Sequence, residues 1–157
     1  MGGRSCSRSE TPAHTMGNGV KTLLEHGVKE ITEPCIEEII RYDPPLHMFT
    51  RWAYEDVTIG DHCFKRGDQI GCLLGAANRD PTAYPNPNSF DPTRTGPKNT
   101  SFGGGIHLCV GAPLARLELQ IGLEMLWERC PELRMVGEAR YGDVYHFHGL
   151  EGLVVKL

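Results

Sequence analysis

No CxxC pair occurs among the six cysteines of this 157-residue chain, which stand at 6, 35, 63, 72, 109 and 130. No apolar run approaches the roughly 18 residues of a membrane span; the longest are short stretches such as Leu73-Leu74-Gly75-Ala76-Ala77. The opening, Met1 to Thr15, carries Ser and Arg but no apolar h-region, so it does not read as a secretory leader. Without a leader or a thiol-pair motif, the cysteines read as free thiols in a cytoplasmic protein, not as a disulfide frame. Basic residues are outnumbered 16 to 20, a formal net charge of −4, which argues against a nucleic-acid partner. Repeats are absent as well. What the chain has in excess is loop-forming residues: 19 glycines and 11 prolines, above the average of roughly 12%. At 39% hydrophobic and 23% charged it is globular in composition. Its length suits one domain, burying about 70% of the unfolded surface.

Residues 1–9 read as a disordered lead. The spacing of Val20, Leu23 and Leu24 predicts a helix over Ala13 to His26, with Gly27 as its stop. A second helix is expected from Glu33 to Tyr42, with Thr32 as N-cap, Pro34 in the first turn and Ile36, Ile39 and Ile40 as its buried stripe. Asp43-Pro44-Pro45 ends it. Strands are expected at Met48 to Ala53, Val57 to Ile59, His62 to Phe64 and Gln69 to Leu74, with Gly60-Asp61 as a hairpin turn. Residues 78–101 form a long irregular stretch with five prolines, of the kind that is usually functional or a linker. Ala112 to Arg129 is the strongest helix: Leu114, Leu117, Ile121 and Met125 form one stripe and Ala115, Leu119, Gly122 and Leu126 another, the girth of a core helix. A turn at His148-Gly149 and a strand at Leu153 to Val155 complete the tail.

The segment that carries chemistry is Phe102-Gly103-Gly104-Gly105-Ile106-His107-Leu108-Cys109-Val110-Gly111, directly before the long helix. Glycines there let backbone approach something flat or large. One cysteine stands at the helix start, where unpaired N–H groups and the helix dipole favour negative charge, which suits a thiolate as single axial metal ligand. The segment lacks the Lys-Ser/Thr of a P-loop and fails the G-x-G-x-x-G spacing. A zinc centre would need several Cys and His at fixed spacing; His107-x-Cys109 and His146-x-His148 have no matching partners in sequence.

This segment resembles the cytochrome P450 family, whose F-x-x-G-x-(R/H)-x-C-x-G motif it meets in full, with His107 in the Arg/His place as in many bacterial members. The resemblance runs over roughly residues 10–157, strongest from 35 to 125. It implies that Cys109 is the thiolate ligand of haem b, iron protoporphyrin IX. It further implies that His107 bonds a haem propionate, that Phe102 shields the sulfur, and that Gly103 and Ala115 line the cofactor. Glu38-Ile39-Ile40-Arg41 matches the family's E-x-x-R, an i, i+3 pair on its own helix. Its usual third arm is an arginine in the proline-rich stretch; that place holds Ser89, and Arg94 is the nearest substitute. Arg51, in Thr50-Arg51-Trp52-Ala53, corresponds to an arginine that reaches the second propionate. Ala77-Asn78-Arg79-Asp80-Pro81 and Gly111-Ala112-Pro113-Leu114-Ala115-Arg116 also resemble bacterial members.

Full-length members are much longer, so the chain reads as a truncated C-terminal haem-binding part, residues 10–157. Glu10-Thr11 resembles the end of the acid–alcohol pair that serves catalysis on the distal helix, although Arg8 replaces a usual glycine and Pro12 follows. Only five residues separate His26 from Thr32, where the family has another helix. The fold expected is α+β, mainly α: a truncated P450-like fold with a long core helix after the Cys loop and a small antiparallel β region. The implied activity is haem-thiolate monooxygenation, in which one oxygen atom of O2 enters a small apolar organic substrate, with a ferredoxin- or flavodoxin-type electron donor docking near Arg116 and no membrane. Leu46, His47 and Met48, with His148 to Leu150, fall where members line the substrate cavity. Two other readings stay open: a non-catalytic remnant that binds haem poorly or without turnover, and a zinc- or iron-binding module.

Overall fold

The computed structural model describes residues 10–157, with side chains from residue 14 onward. The expected disordered lead, 1–9, lies outside the described residues. Helix α1, Glu10–His26, is described three residues earlier than expected; Pro12 sits in its first described turn, where its missing N–H breaks no bond within the described helix. The helix ends as its sequence directs. Gly27 turns left-handed at φ 66°, and the Val28 N–H closes on the Leu23 carbonyl at 3.0 Å, the bond of a Schellman stop. Helix α2, Glu33–Tyr42, has the expected boundaries: the Thr32 hydroxyl accepts from the Cys35 N–H at 3.3 Å, and Pro34 lies in the first turn.

Strand β1, Met48–Trp52, pairs antiparallel with β4, Gln69–Leu73, from Met48 opposite Leu73 to Trp52 opposite Gln69. Between them, β2, Val57–Ile59, and β3, His62–Phe64, form the expected hairpin around Gly60. The strand expected to include Leu74 stops one residue short. Leu74 instead opens a single helical turn, α3, Leu74–Ala77, and its carbonyl accepts from the Asn78 N–H at 3.0 Å. Residues 78–101 are irregular, as expected. A 3₁₀ turn at Gly105–His107 precedes α4, Ala112–Arg129. The tail makes two short antiparallel pairs, β5 (Arg134–Met135) with β8 (Val155–Lys156) and β6 (Arg140–Tyr141) with β7 (Leu150–Gly152). The strand expected at Leu153 to Val155 shares only Val155 with β8. Pairings of two residues are too short to show a period of two.

The core lies where α1, α2 and α4 meet, and contains Val20, Leu23, Cys35, Ile36, Ile39, Ile40, Leu119, Leu123 and Leu133. Two glycines permit the close contacts. A Cβ on Gly122 of α4 would collide with the end of Met16 of α1, and one on Gly149 would collide with the ring of His14. Burial corrects one expectation about α4. Its Leu119–Leu123 face is buried, whereas Leu114, Leu117, Ile121 and Met125 are 58, 53, 47 and 42% exposed. Helices α1 and α2 cover one side of α4 only, and among the described residues nothing covers the other. The fold is thus α+β, mainly α, with small antiparallel pairs, and no described helix is long and apolar enough to cross a membrane.

This asymmetry has a measurable consequence. Leu123→Ala should destabilise the chain by about 2–5 kcal/mol through transfer and cavity costs, while Leu117→Ala should stay within about 0.5 kcal/mol. Urea unfolding followed by circular dichroism checks both; equal losses would contradict the one-sided core.

Candidate functional site

The site rests on an ion cluster beneath it. Glu38 and Arg41 project from the buried face of α2, with side chains 1% and 2% exposed. Arg41 grips the carboxylate with two donors, Nε to Oε2 at 2.6 Å and Nη2 to Oε1 at 2.7 Å. Arg94 reaches the same carboxylate from the proline-rich stretch, Nε lying 3.1 Å from each oxygen. The Asp91 N–H adds a fourth donor at 2.9 Å. The surplus positive charge faces backbone carbonyls. Arg41 donates to those of Asn78 and Pro87, and Arg94 to that of Pro85. Ser89, at the place where the resemblance expects the third arginine, takes part through its carbonyl, which accepts from both arginines. A spacing that alone suggests a weak exposed pair is here a buried, multiply bonded one.

Asn78 carries this order onward, and sequence reasoning assigned it no role. It is fully buried. Its amide donates to the Ser101 hydroxyl at 2.7 Å, and its side-chain oxygen accepts from the Thr100 N–H at 2.8 Å. The Ser101 hydroxyl in turn donates to the Ile40 carbonyl at 2.7 Å. Two residues directly before Phe102 are thereby fixed to α2 and α3. The only signal in the sequence was its place in the family-like phrase Ala77-Asn78-Arg79-Asp80-Pro81.

From that anchor the loop closes on itself. The Cys109 N–H donates to the Phe102 carbonyl at 2.9 Å, and the Leu108 N–H to that of Gly105 at 3.1 Å. Gly103 and Gly105 adopt φ +70° and +61°, a region that penalises any side chain. At Gly103 a Cβ would also meet the Phe49 ring at 3.7 Å. Cys109 is exposed at the mouth of α4, and Ile106, Leu108, Val110 and Leu114 around it are 96, 58, 99 and 58% exposed. Phe102 is half-buried behind the loop and lies beneath the Arg116 guanidinium, 4.7 Å from ring centroid to Cζ. Arg116 is already paired with Glu37 on α2, a bond that holds its proton even more firmly than usual. Its positive charge is therefore partly neutralised. Ala115 is half-buried one turn into α4.

Two basic residues also come to this edge. His107 ends the 3₁₀ turn and is exposed. Arg51 is exposed on β1, its Cζ 5.3 Å from the Phe49 ring that packs on Gly103. An exposed thiol, an apolar surround and basic residues from two elements fit a flat, largely apolar group bearing anionic substituents. A cavity of about 730 Å³ reaches from Phe102, Leu108, Cys109 and Val110 to the charged Glu37 and Arg116. The side chains of Glu10 and Thr11 lie outside the described residues. His47 and His148, expected near one cavity, do meet: their rings stack at 4.4 Å beside a separate cavity of about 330 Å³. Burial and the neighbouring His148 lower the His47 pKa below the usual imidazole value.

Comparison with known proteins shows which family the chain resembles. The Cytochrome P450 family model matches residues 29–133. The chain is 39% identical over 155 residues to the biotin biosynthesis cytochrome P450 of Bacillus subtilis, covering 93% of this chain and 39% of that protein. It is 38% identical over 160 residues to the polyketide biosynthesis cytochrome P450 PksS of the same organism, covering 94% and 40%. Among solved structures, P450BioI in complex with hexadec-9Z-enoic acid ligated acyl carrier protein matches with a TM-score of 0.87 at 41% identity, covering 93% of this chain and 40% of that one. CYP109E1 from Bacillus megaterium in complex with testosterone matches with a TM-score of 0.90 at 31% identity, covering 96% and 44%. The chain belongs to the cytochrome P450 family. It spans about two fifths of the length of these relatives.

The buried cluster is open to test. Glu38→Gln leaves two arginines without their anion and should cost about 3–5 kcal/mol in urea unfolding. Arg94→Gln, which removes the more exposed arm, should cost less. The reverse order would show that Arg94 anchors the carboxylate.

Proposed function

We propose that residues 10–157 form the haem-thiolate part of a cytochrome P450 monooxygenase, a cytoplasmic protein with no membrane or nucleic-acid partner. The observation that carries this reading is the exposed Cys109 sulfur at the start of α4, held in an apolar loop that the Phe102 carbonyl closes. Cys109 would ligate the iron of haem b, and Phe102, packed behind the loop, would keep water and other donors from the sulfur. Ile106, Val110 and Leu114, with Gly103 and Ala115, offer the apolar face against which a porphyrin would lie. His107 and Arg51 would donate to the two propionates as charge-assisted bonds. When bound, the haem supplies activation of O2 with electrons from a donor, and one oxygen atom enters an organic substrate. The donor would be of the ferredoxin or flavodoxin type and would dock on the side of Arg116; because Glu37 pairs with Arg116, steering there rests on more than that one charge.

Glu38, Arg41 and Arg94 act as positioning residues, since they set the backbone that leads into Phe102. Glu10 and Thr11 are the proton-handling pair that the resemblance implies. An apolar substrate is supported by two relatives, whose structures hold testosterone and a hexadec-9Z-enoic acid carried on an acyl carrier protein; only the first of these is a small free molecule. A second reading, haem binding without turnover, is favoured by the open Leu114–Met125 face of α4, because the described residues offer apolar cover on the cysteine side alone.

The test is haem titration into the full chain, followed by reduction and carbon monoxide. A red-shifted Soret band is expected, and Cys109→Ala should abolish it while circular dichroism stays unchanged. No haem uptake, or a shifted band that survives in Cys109→Ala, would sink the assignment. Oxygenation of an apolar substrate with a surrogate electron donor then separates the monooxygenase from the silent haem binder.

A further inference from the structure

Away from the cysteine loop, three metal-ligating side chains converge: Asp43 and His47, four residues apart, and His148 from near the other end of the chain. Asp43 caps α2, His47 leads into β1, and His148 sits just before β7. One donor atom from each lies within 4.8 Å of the other two, and His148 Nε2 is 3.2 Å from Asp43 Oδ1. Ligands on a tetrahedral zinc ion stand about 3.3 Å apart; because the lone pairs lie in the ring planes, binding would turn His47 out of its stack on His148.

The frame around them is rigid. The His47 N–H donates to the His146 carbonyl at 3.0 Å and the His148 N–H to that of Pro45 at 2.8 Å, so the two histidine-bearing segments are laced together. The fully buried Asn18 donates its amide to the carbonyls of both Asp43 and His148, at 3.2 and 2.7 Å. Tyr141 donates its hydroxyl to the second carboxylate oxygen of Asp43 at 2.5 Å and stacks on His148 at 3.8 Å. Metal-binding carboxylates commonly have this kind of outer support. The 330 Å³ cavity beside the three residues has room for water as a further ligand. Arg79 also lines it, tied to the Tyr42 carbonyl at 2.6 Å, and its charge opposes a cation.

We propose that Asp43, His47 and His148 form a site for a divalent transition metal, zinc by donor set, which fastens the β6–β7 turn to the end of α2. Cys109 and haem take no part in holding the ion, but the resemblance places His47 and His148 beside the substrate, so the test reads metal uptake and not turnover.

Zinc uptake by the full chain is measured by equilibrium dialysis at about pH 7, where unperturbed imidazoles are largely neutral, followed by elemental analysis. His47→Phe and His148→Phe keep a ring for the stack and remove a ligand nitrogen. Exposed thiols also take zinc, so the readout is a difference: each variant, and the double variant, should lose the same single equivalent. Zinc should raise the melting temperature of the wild type and leave that of both variants unmoved. Tyr141→Phe, which removes only the hydroxyl on Asp43, should weaken that equivalent about tenfold, and Arg79→Gln should tighten it. Equal zinc uptake in wild type and histidine variants overturns the site, as does an equivalent lost only from Cys63→Ser or Cys72→Ser. Should a phenylalanine variant fail to fold, His47→Gln removes the same ligand nitrogen and should lose the same equivalent.

Discussion

A single carboxylate, Glu38, ties the distant parts of this chain together. Two guanidinium groups and a backbone N–H converge on it inside the protein. A carboxylate out of water is stable only when its oxygens are fully occupied, and here the occupying groups come from α2 and from a proline-rich stretch with no regular structure. The irregular stretch is ordered for that reason: its carbonyls bond arginines instead of a helix or sheet. Asn78 and Ser101 pass the order on to the residue before Phe102.

The cysteine loop illustrates the opposite principle. It has few side-chain bonds of its own and depends on backbone geometry. Two left-handed glycines and the Cys109-to-Phe102 bond hold the sulfur at the mouth of α4. The side chains around it are apolar and exposed, a costly arrangement in water for a surface with no partner. That cost, repeated along the Leu114–Met125 face of α4, marks where another surface belongs.

Much of this was legible from residues alone. The bounds of α2 followed from Thr32, Pro34 and Asp43-Pro44, because capping and proline effects act within one turn. The Gly60-Asp61 hairpin followed from local turn preference. The family followed from ten consecutive residues around Cys109, and the resemblance also pointed to Arg94 as the neighbour of Glu38. Other features were not legible. The two-residue strands of the tail carry no period, and Leu74 turned helical where a strand pattern continued into it. The two stripes of α4 look alike in sequence, and only contact with α1 and α2 separates the buried one from the exposed one.

Local chemistry therefore specified the helix ends, the tight turn and the glycine loop, since each depends on residues a few positions apart. Packing between segments assigned everything that needs partners from afar: which side of α4 is dry, that Asn78 bridges α2 to the loop, and that His148 reaches the corner where Asp43 and His47 stand. Side chains so far apart along the chain leave no spacing to read, because their meeting follows from the path of the backbone and not from any pattern along it.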